Sequence, residues 1–133
     1  MEPTWGKTLV IANPAAQSGR GREGAIEVER ALKAGEAPVA SWEMRLTTRR
    51  NEAAEIAAQA GEYDTVLVLG GDGVIHEAVN GLMRLSEAAR PRLGVLPLGS
   101  GNDFARTLGV VSRNKPADAL RELARCGAER TFD

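Results

Sequence analysis

Three segments of this chain combine glycine with polar side chains in the way that phosphate chemistry requires. The first is Gly70-Gly71-Asp72-Gly73, directly after the apolar run 65–69 and directly before an amphipathic stretch. Glycines let the backbone turn tightly and let a phosphate approach main-chain N–H groups, and a helix N-terminus adds partial positive charge. Asp72 is the odd member, since a carboxylate repels phosphate. It caps the following helix, holds Mg2+ against the phosphates, or accepts the proton of an attacking hydroxyl. Capping does not exclude the other two roles. The second segment is Pro97-Leu98-Gly99-Ser100-Gly101-Asn102-Asp103, again after an apolar run. Gly99, Ser100, Gly101 and Asn102 offer backbone N–H groups and small polar side chains, and Asp103 reads as the cap of a helix over 104–108. The bland alternative is an ordinary turn. The third segment, 13–22, opens on Asn13-Pro14 and carries glycines with Arg20 and Arg22. Those arginines either reach phosphate or are solvated surface charges.

Such loops need elements to hold them at one place. The runs 9–12, 65–69 and 93–96 are short, continuous and rich in branched residues, which predicts strands buried on both faces of a parallel sheet. In 41–46, Trp42, Met44 and Leu46 alternate with Ser41, Glu43 and Arg45, a period of two that predicts a wetter strand nearer an edge. Helices are expected over 23–34, 51–60 and 115–126, each stopped in the left-handed conformation by the glycine that follows: Gly35, Gly61 and Gly127. Ile75, Ala78, Val79 and Leu82 mark the apolar face of a further helix. Glu77, Asn80 and Gly81 lie on another face of it. A glycine inside a helix costs about 1 kcal/mol against alanine, so Gly81 points to close approach of a backbone or ligand, or to a helix end near Arg84. Residues 128–133 read as the start of another strand. The alternation predicts an α/β fold, a doubly wound parallel sheet in a Rossmann-like three-layer arrangement, with right-handed crossovers. Ligands of such sheets sit outside the carboxyl ends of the strands, where all three loops would open.

Other chemistries are set aside on composition and spacing. The 133 residues suit one domain, and a net charge of −1 gives no basic field for nucleic acid. One cysteine, Cys126, and one histidine, His76, exclude an intrachain disulfide and a Cys/His zinc site, and a reducing cytosol is the expected compartment. No apolar run approaches the roughly 20 residues that span a bilayer, so a lipid substrate would be met at the membrane surface from the water side. Gly6-Lys7-Thr8 imitates the end of a P-loop, but Met1 replaces its first glycine and the segment precedes a strand. No G-x-G-x-x-G follows the first strand.

Gly70-Gly-Asp-Gly-Val-Ile-His-Glu-Ala-Val-Asn-Gly-Leu82, Leu96-Pro-Leu-Gly-Ser-Gly-Asn-Asp-Phe-Ala-Arg106 and the opening Asn13-Pro14 together resemble the catalytic domain of diacylglycerol kinases and their bacterial lipid-kinase relatives. The resemblance covers most of the chain in the right order. It implies ATP with Mg2+, and a nucleotide bound between this domain and a following β-sandwich domain, which this chain is expected to lack. It implies nucleotide contacts from Asn13, Thr47, Gly71, Asp72, Gly73, Gly99, Ser100 and Asn102. Asp72 resembles the family's essential aspartate, Glu77 and Asn80 its supporting polar residues, and Asp133 the start of a further motif towards the lipid. Val74 stands where the family more often has Thr or Ser, and His76 where bacterial members often have Asn. The run from Val74 to Glu77 and the second loop look closer to sphingosine kinases.

The expected activity is transfer of the γ-phosphoryl group of ATP to a lipid hydroxyl, diacylglycerol-like or sphingoid. The alternatives are a soluble kinase of the NAD-kinase type and a non-catalytic nucleotide-binding module. Without its second domain the chain is expected to fold but not to catalyse, and apolar side chains left exposed where that domain docks would favour a homo-oligomer.

Overall fold

The computed structural model describes residues 2–98 and 116–126. Its sheet is wholly parallel. β1 (Gly6–Ala12), β2 (Val39–Leu46), β3 (Thr65–Gly70) and β4 (Arg92–Pro97) stand in the order β2-β1-β3-β4. The helices α1 (Ala16–Lys33), α2 (Glu52–Ala58) and α3 (Asp72–Leu82) alternate with them, a short 3-10 turn spans Glu87–Ala89, and α4 (Pro116–Cys126) follows. The first crossover steps outward from β1 to β2, and the next two step the other way. Right-handed crossovers in opposite directions lie on opposite faces, so α2 and α3 share one face and α1 the other. The packing agrees: α2 rests on α3, and α4 joins α1 and β4.

The continuous runs occupy the centre. Leu9, Val10, Ile11 and Ala12 of β1 and Val66, Leu67, Val68 and Leu69 of β3 are all buried, because helices cover both faces there. β2 is an edge strand, as its alternation predicts: Trp42 and Met44 are half-buried while Glu43 and Arg45 are exposed. β4 departs from expectation. Its first half is open, with Arg92 exposed and Leu93 and Gly94 only half-buried, and burial on both faces begins at Val95. It too stands at an outer position of the described sheet.

The helix ends depart in two places. α1 begins at Ala16, seven residues before the apolar periodicity becomes regular. Its first turns contain Gly19 at φ +96°, and the Arg22 N–H reaches back to the Pro14 carbonyl at 3.1 Å, so tertiary closure rather than helix propensity holds this stretch. α2 ends at Ala58 and runs out through bonds from Gln59 and Ala60 to Ile56 and Ala57, with no left-handed residue at Gly61. The left-handed residue of this helix is instead Asn51, at its start, with φ 65°. Gly35 does adopt the expected left-handed stop, φ +75°. The expected helix over 104–108, the stop at Gly127 and the strand at 128–133 lie outside the described residues. Among the described residues no helix is long and apolar enough to cross a membrane.

Candidate functional site

The strand register sets the carboxyl ends in one row. Ala12 pairs with Leu46 on one side and Leu69 on the other, and Leu69 pairs with Leu96. Each ladder runs one step past its strand. Thr47 N–H donates to the Ala12 carbonyl at 2.9 Å, Asn13 N–H to Leu69 at 3.3 Å and Leu98 N–H to Gly70 at 3.2 Å. Asn13, Thr47, Gly70-Gly71 and the start of the second loop therefore share one edge. Because the crossovers leaving β1 and β3 diverge, the crevice of this sheet opens between their carboxyl ends, flanked by Asn13 and by the Gly70 loop.

Asn13 is half-buried, and its side-chain oxygen accepts the Ala15 N–H at 3.1 Å, which turns the chain out of β1. Gly21 fixes that turn from above. A Cβ on Gly21 would lie 1.9 Å from the Asn13 carbonyl oxygen, so only glycine lets α1 pass this close. Arg20 and Arg22 are exposed on the first turns of α1, at the same edge. Thr47 is buried, and its hydroxyl is directed at the Ala12 carbonyl, 3.5 Å away. In this geometry Thr47 ties the end of β2 to the end of β1.

The segment after Thr47 is held by groups that sequence reasoning missed. Glu52 in the first turn of α2 accepts from both the backbone N–H and the hydroxyl of Thr48, and these bonds hold its carboxyl below the usual range. Arg49 pairs with Glu55. The signal was present as a threonine four residues before a glutamate at a helix start, a variant spacing of the capping box.

The Gly70 loop is the centre of the site. Gly71 is the N-cap of α3 in extended conformation, and the first helical bond runs from Ile75 N–H to the Gly71 carbonyl at 3.2 Å. The N–H groups of Asp72, Gly73 and Val74 thus precede the ladder and point out of the helix end at the crevice. Asp72 is not the N-cap, contrary to the capping expectation. It is the first helical residue, and it is exposed. Gly70 is demanded by packing, since a Cβ there would lie 2.3 Å from Val74 Cγ1. Gly71 and Gly73 differ: among the described residues a Cβ on either meets nothing within 4 Å. Val74, the departure from the resembled pattern, is buried under this turn.

Of the supporting residues, Glu77 is half-buried and Asn80 exposed. With a rise of 1.5 Å per residue they stand about 7.5 and 12 Å along the axis from Asp72, so α3 does not bring Asn80 to the loop. Gly81 is explained by a backbone: its Cβ would lie 2.2 Å from the Ala54 carbonyl oxygen of α2. Gly99, Ser100, Asn102, Asp103 and Asp133 lie outside the described residues. Among the described residues no three His, Cys, Asp or Glu side chains gather as a metal site. One carboxylate at a phosphate cradle suits Mg2+, which is commonly held by one or two carboxylates and the substrate's own phosphates.

Comparison with known proteins bears on the family and the fold. The sequence profile of the diacylglycerol kinase catalytic domain matches residues 7–133. The chain is 48% identical over 78 residues to a diacylglycerol kinase of Bacillus subtilis, covering 56% of this chain and 25% of that protein. It is 36% identical over 125 residues to sphingosine kinase 1 of Rattus norvegicus, covering 90% of this chain and 32% of that protein. A crystal structure of a diacylglycerol kinase from Bacillus anthracis superposes with a TM-score of 0.75 at 31% identity, covering 90% of this chain and 39% of the other. The chain spans a third or less of the length of these curated relatives. Sheet order, glycine loop and sequence match converge: the chain belongs to the diacylglycerol kinase catalytic domain family.

Proposed function

We propose that this chain is the ATP-binding part of a lipid kinase that transfers the γ-phosphoryl group to a lipid hydroxyl. The observation that carries the reading is the pair Gly71 and Gly73. Among the described residues nothing requires glycine at either position, yet both flank Asp72 at a helix N-terminus in the crevice of the sheet. Bare backbone N–H groups with open space above them are what a bound phosphate needs. In this reading the N–H groups of Asp72, Gly73 and Val74 orient the phosphates, while Asn13 and Thr47 fix the edge on which the nucleotide rests. Mg2+, when bound with the nucleotide, neutralises phosphate charge. Asp72 either helps to hold it or takes the proton from the acceptor hydroxyl. Catalysis then rests mainly on positioning and charge neutralisation.

The lipid acceptor is supported by the names of the relatives, among them a diacylglycerol kinase and a sphingosine kinase. The test is Asp72→Asn in the complete gene product, assayed with labelled ATP and mixed vesicles carrying diacylglycerol or a sphingoid base. Phosphate transfer should be lost while the melting transition stays in place. Unchanged turnover would remove Asp72 from the mechanism. Label appearing on NAD but on no lipid would move the activity to a soluble acceptor, and tight ATP binding without any transfer would make this a binding module.

A further inference from the structure

In two places a carboxyl or amide side chain is followed directly by glycine, Asp72-Gly73 and Asn80-Gly81, and both pairs lie in α3. Such pairs carry a chemistry of their own. The glycine nitrogen attacks the side-chain carbonyl carbon before it and closes a five-membered succinimide, and glycine, having no Cβ, obstructs that attack least. In an unstructured peptide the asparagine pair is the more labile, because an ionised carboxylate resists a nucleophile and an amide does not.

The fold reverses this order. Ring closure swings the following N–H out of the helical path, so it is slow wherever that N–H is held. Gly81 is held on every side. Its N–H lies inside the ladder of α3, and its carbonyl accepts the Arg84 N–H at 3.1 Å. It is buried so close to α2 that a Cβ would lie 2.2 Å from the Ala54 carbonyl oxygen. None of this applies at Asp72. The Gly73 N–H precedes the ladder, whose first bond runs from Ile75 N–H to the Gly71 carbonyl at 3.2 Å. Asp72 and Gly73 are both exposed. A Cβ on Gly71 or Gly73 meets none of the described residues within 4 Å, so the backbone on either side of Asp72 has room to turn.

We propose that Asp72 is a site of spontaneous main-chain isomerisation to isoaspartate, and that Asn80 is protected from the corresponding deamidation. The Gly73 nitrogen gives up its proton and bonds to Cγ of Asp72, and one carboxyl oxygen leaves as water. Water then reopens the ring. Addition at Cγ restores aspartate. Addition at the main-chain carbonyl carbon breaks its bond to the Gly73 nitrogen and leaves isoaspartate, with the chain running through Cβ and Cγ and a free carboxylate on Cα. The mass is unchanged and water is the only reagent. The product adds one methylene to the backbone at the start of α3 and moves the carboxylate. The inference does not depend on the kinase reading.

The chain is kept folded at neutral pH and body temperature over several weeks, and in parallel unfolded in guanidinium chloride. Trypsin releases residues 51–84 as one peptide that holds both pairs. Electron-transfer fragmentation distinguishes isoaspartate from aspartate, and asparagine from its deamidation products, at each position. In the unfolded sample Asn80 should convert first. In the folded sample isoaspartate should build up at position 72 while Asn80 stays intact. Two variants check the chemistry. Asp72→Glu should abolish the product, since its ring would need one more carbon and closes far more slowly. Gly73→Ala should lose most of it, since the methyl group hinders the attacking nitrogen. A folded chain in which Asn80 converts as fast as Asp72 overturns the proposal. So does a folded chain unchanged at position 72 while the unfolded chain isomerises there, or a Gly73→Ala variant that isomerises as fast as the parent.

Discussion

Replacing Gly73 with alanine should make the protein more stable and a poorer ATP binder at once. Gly73 is the second residue of α3, its φ is not left-handed, and an added Cβ meets none of the described residues within 4 Å. Alanine is favoured over glycine in a helix interior by about 0.8–1.0 kcal/mol, and somewhat less is expected in a first turn. A gain near that size raises the melting temperature by about 4 °C for a domain of this length. The same methyl group stands where the proposed phosphate approaches the backbone. Hydrogen bonds to charged groups are worth about 1.5–3 kcal/mol, so losing one weakens binding by about 10- to 150-fold. Thermal unfolding followed by circular dichroism, together with ATP titration in a calorimeter, reads both effects on one sample. A variant that is stabler and binds ATP as tightly as the parent refutes the cradle. A variant that is less stable refutes the open space above α3.

Gly81→Ala should do the reverse, costing about 1–3 kcal/mol in urea unfolding despite the better helix propensity of alanine. The reason is that its Cβ would lie 2.2 Å from the Ala54 carbonyl oxygen and 2.8 Å from the Ala57 Cβ. Glu52→Gln should lower stability at neutral pH. Bonds from Thr48 lower the folded pKa of Glu52, so its contribution is complete above the unfolded value and is lost as pH falls through the folded one. Unfolding curves of parent and variant should therefore converge in acid. Tyr63 is the single tyrosine, and its hydrogen bond to Glu43, ahead of burial and nearby charge, pushes its pKa up to about 12. Ultraviolet titration should find that midpoint and a lower one in Glu43→Gln. Stability should decline as pH rises from the ordinary tyrosine value towards the folded one, because the unfolded chain releases its proton first.

Much of the fold is legible because burial and pattern coincide. The runs in β1 and β3 are continuous where helices cover both faces, and β2 alternates where one face is wet. Legibility fails where the cause lies in distant residues. The first turns of α1 have no apolar period, yet they are held by the Arg22 N–H on the Pro14 carbonyl and by the fit of Gly21 over Asn13. The run 93–96 reads like the central strands, but no composition tells that Leu93 and Gly94 lie half-open at an outer strand.

The site shows the same division among its glycines. In sequence, Gly70, Gly71, Gly73 and Gly81 are alike, four small residues around one helix. The question that separates them is what a side chain would strike. At Gly70 it strikes Val74, and at Gly81 the backbone of α2, so the fold alone accounts for both. At Gly71 and Gly73 it strikes none of the described residues. Neither has positive φ, and helix propensity disfavours glycine at the second. A residue that costs stability and meets none of the described residues fits the proposed reading, in which a ligand keeps it small. In that reading the ligand approaches the N-terminus of α3, beside Asp72, in the crevice where parallel sheets take their ligands. The motif alone names a family. In the proposed kinase reading, the space that the described residues leave beside two of its four glycines is where the phosphate would lie.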